Sequence, residues 1–562
     1  MRFPNLPTTG PVPYAAWRSR PIGALVIAFG LVFGTLLLTA PATGAMASKS
    51  SASRAERADL FLSPSGSDGG RCSVSAPCRS FARAYEVAEL GAVVELAAGT
   101  YGDQLMDGRL AKGRDRADAA DVVFRPAQGA QVETGNLELN VPHVEVRDMR
   151  VAKWKARYNV DDPSRYAAGD LTFRNVRTHH LSFNAVQNVK IIGGEVGPNR
   201  NPKNGDHPQD GIFIGAYPPD KHPPTNVLID GVNVHDVTEP DSEAHSDCIQ
   251  FTAGVNVVIR NSRFRNCEHA DMMIKADQGP IENFLVENNV LDHTLSAHFS
   301  INIYETHRGC RNVVMRNNTA LQNIRTDACS GMTLTGNIQP SMSKHSCSSA
   351  NAKLSWNVYE SGVKCGKDDT VATVAYVNRE AFDLRLARGS AAIARGNPDS
   401  APNEDIDGHL RPLRGRPDAG ADQRDPASIR LTKSIGVVRL GARRSDIEAF
   451  HGRPIGSRAT GSNVRVTYRV SGGVLWALYR RDSVVGVGTS SPYYATSAGI
   501  GPGSPAVGLV TQLPWDACGR AHRQVLGGTT IYYAPVGGAR GRPVAEISMV
   551  RRNEDACTQA RR

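Results

Sequence analysis

A degenerate repeat across residues 140–340 constrains this chain more than any other feature. It reads "HVEVRDMRV", "DLTFRNVRT", "NVKIIGGEV", "NVLIDGVNV", "NVVIRNSRF", "NFLVENNVL", "NVVMRNNTA" and "GMTLTGNIQ". Each unit alternates apolar and polar residues, reaches an Asn, Asp or Gly turn, and enters a second short alternation. The leading apolar residues Leu171, Val189, Val227, Val257, Phe284 and Val313 are 18, 38, 30, 27 and 29 residues apart. An apolar period of two belongs to strands, and 3.6 to helices, so helical repeats are excluded. Repeats of this length built from short strands predict a solenoid whose coils stack about 4.8 Å apart. Val, Ile, Leu and Phe at alternate positions would fill its interior. Asn175, Asn261, Asn288, Asn317 and Asn337 follow the strands and are expected to stack as an amide ladder, which is turn chemistry and not a site.

A chain of 562 residues exceeds one ordinary domain, so more than one unit is expected. At the N-terminus Arg18 and Arg20 precede "PIGALVIAFGLVFGTLLLTA", and small residues Ala45 and Ala47 follow. This pattern describes a secretory signal peptide over residues 1–47, with 48–59 as a linker. The apolar run 24–40 approaches the length of a membrane span, so an uncleaved anchor stays open. Either alternative places the remainder outside the cytoplasm, secreted or in the cell envelope. Ten cysteines fit an oxidising compartment, and the absence of any C-x-x-C favours disulfides over zinc. Cys72 and Cys78 are close enough to bridge, and Cys518 and Cys557 are expected to pair. Connectivity among Cys248, Cys267, Cys310, Cys329, Cys347 and Cys365 is left open.

The formal net charge is +10, from 65 Lys+Arg and 55 Asp+Glu, read as spread along the chain. It suits an acidic partner. No Lys/Arg run interleaved with aromatics occurs, so nucleic acid is not expected. After residue 425 the pattern changes, with 426–434 as a linker and 435–562 as a small α+β accessory domain. In "SIGVVRLGARRSDIEAFHGRP" a strand leads to a helix with Ser445 as N-cap and Glu448 completing a capping box. Gly452 and Pro454 stop it. "NVRVTYRVSGGVLWALYRRDSVVGVGTSS" then alternates as antiparallel strands around a Gly-Gly turn.

The stretch "LFLSPSGSDGGRCSVSAPCRSFARAYEVAELGAVVELAAGTY" resembles the opening of right-handed parallel β-helix proteins of the pectate-lyase-like superfamily. The stretch "FDLRLARGSAAIARGNPDSAPNEDIDGHLRPLRGRPDAGADQ" is similar to their final coils. The resemblance covers 60–425 and implies a right-handed parallel β-helix there, an all-β fold hosting lyases, hydrolases, epimerases and adhesins.

Three polar clusters interrupt the repeat: "DHPQDGIFI" at 206–214, "EAHSDCIQF" at 243–251 and "EHADMMIKAD" at 268–277. Aligned on their aspartates, Asp210, Asp247 and Asp271 stand just before a strand. His207, His245 and His269 lie two or three residues earlier, and the next coil has His298 and Ser300. Carboxylates on successive coils would sit about 5 Å apart and need a raised pKa or a cation. Lys275, His245 and His269 could compensate them, as could Ca²⁺ held by Asp210, Asp247 and Asp271. The alternative is an Asp ladder capping turn N–H groups. Asp210, Asp247, Asp271, His245, His269 and Lys275 are therefore the candidate catalytic residues, and His207, Gln250 and His298 the candidate substrate contacts. Cys248 is read as a disulfide partner, with Cys267 a candidate, and not as a nucleophile. Asp236, Asp241 and Glu243 form an acidic loop beside the cluster, and His179 and His180 are read as solvated in a turn. The expected function is that of a polysaccharide lyase-type enzyme on an acidic glycan. A glycoside hydrolase on the same scaffold is the alternative, as is a non-enzymatic glycan-binding β-helix of the envelope. Beyond Ca²⁺ no cofactor is expected.

Overall fold

The computed structural model describes residues 57–555 except 115–118, 201–209, 217–218, 220–221, 239–245, 293–298, 305, 350, 413–415, 471, 506–509, 511, 519 and 540–541. The proposed signal segment therefore lies outside the described residues. Among them no helix is long and apolar enough to cross a membrane.

The repeat is a right-handed parallel β-helix. A first sheet stacks 12 parallel strands, from Leu60–Leu62 to Ala352–Ser355. Its interior column joins Leu171, Val189, Val227, Val257, Phe284 and Val313 in one register. Unequal sequence spacing leaves that register intact because the extra residues go into loops. The opening is as expected, with the strand Leu60–Leu62, the helix Phe81–Val87 and the strands Val93–Leu96 and Gly99–Thr100.

Each coil leaves the first sheet through one residue in the left-handed region. Asn175, Asn261, Asn288 and Asn317 hold φ of 51–55°, with glycines at 193, 231 and 336 taking the place in other coils. Asn and Gly tolerate this conformation where other residues are strained. A second sheet follows at once, for example Asn233–Thr238 onto Arg263–Cys267. A loop then leads to a third sheet, where Ile212–Gly215, Ile249–Phe251, Met272–Lys275 and Phe299–Tyr304 pair in order.

Of the expected ladder only the step from Asn288 to Asn261 is bonded among the described residues, at 3.4 Å; Asn175 donates to Asp148 and Asn317 to the carbonyls of Asp418 and Gly420, and Asn337 lies elsewhere. Gly336 takes the turn, and Asn337 belongs to a buried column running Asn289, Asn318, Asn337, Asn357 and Asp369. Each asparagine also donates to a main-chain carbonyl of an earlier strand, as Asn318 does to Val286 at 2.8 Å. An exposed ladder, Asn226, Asn256, Asn283 and Asn312, lines the start of the first sheet.

Disulfides join Cys72–Cys78, Cys248–Cys267, Cys310–Cys329 and Cys347–Cys365. Cys518 is also disulfide-bonded, while Cys557 lies outside the described residues.

The segment after the last coil packs back on the helix and carries a buried polar knot. Arg411, 3% exposed, donates to the carbonyls of Asp418, Gly420 and Ala421 and to Asn288 Oδ1. Asp405 accepts from the N–H groups of Asp407, His409 and Gln423. Asp422, 7% exposed, accepts from Leu386 N–H at 2.8 Å. Burial, reinforced by Asp405, Asp418 and Asp407, pushes its pKa up to about 7. A carboxyl whose pKa is raised on folding stabilises most below its unfolded pKa, and that contribution is lost as pH rises through the folded value. Stability should therefore fall by about 2–4 kcal/mol between pH 4 and pH 8 at this group. Asp422→Asn, which keeps an acceptor for Leu386, should flatten that slope in urea midpoints measured across the range. An unchanged slope in the variant would refute the assignment.

The C-terminal module is an eight-stranded antiparallel sheet with one helix, Arg444–His451. Asn463–Val470 and Gly473–Arg480 form the expected hairpin, with Gly472 at φ 67°. The expected capping box is corrected. The N-cap is Arg443 without a side-chain bond, and Ser445 and Glu448 lie inside the helix. Arg444 N–H donates to Asp482 O and Val484 N–H to Ala442 O, so a neighbouring strand starts the helix earlier. Glu448 pairs with Arg444 instead, at 2.8 Å.

The charge is not evenly spread. Residues 426–562 hold 19 basic and 7 acidic residues, a net +12, whereas residues 56–425 hold 41 and 48, a net −7. Net basicity therefore lends no support to an acidic ligand on the β-helix.

Candidate active site at the corner of the second and third sheets

The polar clusters meet where loops pass from the second sheet to the third. Ile212 pairs with Ile249, which places Asp210 level with Asp247. Gly211 permits the approach, because a Cβ there would lie 2.6 Å from the Cys248 carbonyl oxygen. Asp210 Oδ1 accepts Asp247 N–H at 2.9 Å, and Asp210 O meets His180 Nδ1 at 2.6 Å. Asp210 thus ties two coils together.

The expected alignment of all three aspartates is corrected at Asp271. Ile249 pairs with Met272, so Asp271 stands opposite Cys248 and Ala270 opposite Asp247. Asp271 adjoins its strand directly, whereas Cys248 intervenes after Asp247, and this one-residue difference shifts the register. Asp271 is 0% exposed, with the Ser300 hydroxyl beside its carboxyl. It stands level with Ser300, since Met272 pairs with Ile301. Burial, with Asp292 and Asp247 adding negative charge, raises its pKa well above the carboxylate range. Asp292 is buried too, and burial pushes it up to about 6 against the pull of Arg265 and Arg379. Asp292 follows a two-residue alternation without the turn motif of the other clusters, so the sequence offered no signal for it.

Asp247 is wholly buried and holds two partners. His269 Nδ1 lies 3.2 Å from Oδ1, and Gln250 Nε2 donates to Oδ2 at 3.1 Å. The His269 side chain is 19% exposed, so the pair runs from a buried carboxylate to an accessible imidazole. Burial raises the Asp247 pKa, while His269 and Lys275 oppose the rise. Lys275 Nζ sits over the Tyr304 ring at 4.7 Å from its centroid. The Cys248–Cys267 disulfide anchors the strand just after Asp247 to the end of the second sheet.

The outer row of the third sheet runs Lys155, Ser182, Phe213, Gln250, Met273 and Asn302. Arg325 reaches Asn302 from the following coil. Lys155, Lys275 and Arg325, the last ion-paired with Asp327 at 2.8 Å, place cations along this strip of an acidic domain, which whole-chain counting hides.

His207, His245 and His298 lie outside the described residues, as do Asp241 and Glu243. Asp236 is held below its usual range because bonds from Asn266 and His235 outweigh its burial. The reading of His179 and His180 as turn residues is corrected, since both lie in the strand Arg177–Asn184, while His179 is exposed as expected. His180 is half-buried, and burial, aided by Lys153 and Lys155, pushes its pKa down to about 4. As a calcium set the three aspartates do not fit. Oxygens of Asp210 and Asp247 are engaged internally, Asp271 is sealed, and no group of three metal-ligating residues converges among the described residues.

No protein-family model matches the chain, and no curated protein does. Among solved structures it is similar to the pectate lyase Pel9A, with 14% identity over 65% of this chain and 96% of that one, at a TM-score of 0.41. A rhamnogalacturonan lyase shares 12% identity over 59% of this chain and 93% of its own, at 0.38. XylC in complex with xylose shares 8% over 65% and 98%, at 0.36.

Proposed function

We propose that the protein is an extracellular polysaccharide-active enzyme, working by lyase-type elimination on an acidic glycan at the sheet-two to sheet-three corner. The observation that carries this reading is the buried Asp247 bonded to the accessible His269. A carboxylate that accepts Nδ1–H fixes the imidazole tautomer and leaves the basic lone pair on Nε2. His269 then removes the proton α to a uronate carboxylate, at C5. The electron pair forms the C4–C5 double bond, the C4–O4 bond breaks, and the departing oxygen takes a proton from water. Lys275, held over Tyr304, neutralises the uronate carboxylate as charge builds on it. Gln250 fixes the far side of Asp247, and Lys155 and Arg325 extend cationic contacts along the strip. The disulfides support an oxidising compartment.

The hydrolytic reading would need Asp271 to reach substrate as an acid, and its complete burial argues against that. A panel of acidic and neutral polysaccharides, assayed for unsaturated uronate absorbance and reducing ends with and without chelator, tests the reading. One new reducing end per double bond, unaffected by chelator, is expected. Reducing ends without absorbance would mean hydrolysis, and neither signal would leave a non-catalytic binding surface.

A further inference from the structure

The basic charge of the chain belongs to residues 426–562, which contain 18 arginines and a single lysine, Lys433. Arginine presents a planar fork that matches carboxylate, sulfate and phosphate oxygens, so its dominance over lysine suits oxyanion binding. A cleft of about 530 Å³ lies where this module meets the segment after the last coil. Its walls include Arg424, Arg430, Arg439, His409, Ser428 and Ser434.

A small three-stranded sheet builds one wall. Ser434 pairs with Arg430 on one side and with Arg439 on the other. Residues directly opposite on adjacent strands project from the same face, with Cβ atoms about 5 Å apart at each step. Two guanidinium groups therefore flank a serine hydroxyl along one row. Both arginines are exposed, and neither side chain has an ion-pair or hydrogen-bond partner among the described residues. Like charges set in one row repel unless an anion sits between them. Arg424 is fixed opposite: it donates to the Phe450 carbonyl at 2.8 Å and stacks over that ring at 3.9 Å. Among the described residues Asp422 is the one carboxyl lining the cleft, buried and bonded to Leu386 N–H.

We infer that this cleft is an anion-binding site for acidic sugar residues, through which the C-terminal module tethers the protein to a polyanionic polysaccharide. Its volume suits a short oligosaccharide. Single-stranded nucleic acid is the less favoured polyanion, because stacking platforms carry such binding and Arg424 already covers Phe450. The inference stands apart from the proposed reaction, since it concerns binding at a different part of the chain.

The test uses the full-length protein carrying Asp247→Asn, so that binding is measured without turnover. Polygalacturonate and heparin serve as probes in titration calorimetry at several salt concentrations, with a single-stranded oligonucleotide in parallel. Arg430→Ala/Arg439→Ala should weaken glycan binding at least tenfold and flatten its salt dependence, with circular dichroism and melting unchanged. Arg430→Lys/Arg439→Lys should recover part of the affinity, since charge remains but the fork is lost. Equal binding by the alanine variant, or tight binding of the oligonucleotide alone, would overturn the inference. Binding through the arginines, with no cleavage of these glycans by the parent protein carrying Asp247, would sink the reaction and leave the tether standing.

Discussion

Asp247→Asn should lower turnover on the cleaved glycan by about 10²–10⁴-fold, the range removed with a positioned acid/base group. The side chain is fully buried, so it acts through what it holds, namely His269 at 3.2 Å and Gln250 at 3.1 Å. Asparagine preserves the shape and can still face Gln250, but it no longer offers a negative charge to the imidazole. The ring loses its fixed tautomer. The decrease should appear in kcat with KM little changed, because no group touching the strip is removed. His269→Ala should cost a similar factor, and the double variant little more, since the two act as a unit. Melting temperature and circular dichroism report that the coils persist. Activity within threefold of the parent, in a folded variant, would remove Asp247 from the mechanism.

The largest effect on stability is expected at Asn318. Its Nδ2 donates to Val286 O at 2.8 Å and to Asn337 Oδ1 at 2.9 Å. Its Oδ1 accepts the main-chain N–H and the side-chain amide of Asn289, each at 3.0 Å. The residue is 0% exposed, so no water replaces these partners. Asn318→Ala should leave donors and acceptors stranded on two adjacent coils, at a cost of about 3–5 kcal/mol. Asn312 in the exposed ladder provides the contrast. Asn312→Gly keeps the left-handed turn at φ 54°, gives up one solvent-accessible bond to Asn283, and should cost about 1 kcal/mol or less. Denaturant midpoints of the two variants give the comparison. Equal costs would mean that the buried column is no more than turn chemistry.

The stack was legible because strand parity survives uneven spacing: Leu171 through Val313 share one register whatever the loops contain. The corner was legible in part. Asp210 and Asp247 stand level as their shared "xDxI" spacing implies. Asp271 stands one residue away, because only pairing reveals where the strand begins. Asp292 and Tyr304 carry no motif, and coil stacking alone brings them near the site. His180 reads as a polar turn residue, because only pairing reveals the strand it occupies. The division of charge at residue 425 was open to counting, but a whole-chain sum conceals it.

The turn from the first sheet to the second is held to a fixed length by the buried asparagine column. The connection from the second sheet to the third varies in length instead. It takes four residues between Cys267 and Met272, six between Asp292 and Phe299, and ten between Thr238 and Ile249. The solenoid thus separates a part that tolerates no change of length from a part that tolerates much. Loops grafted or trimmed at this corner should alter which sugar is recognised without altering the stack that carries them.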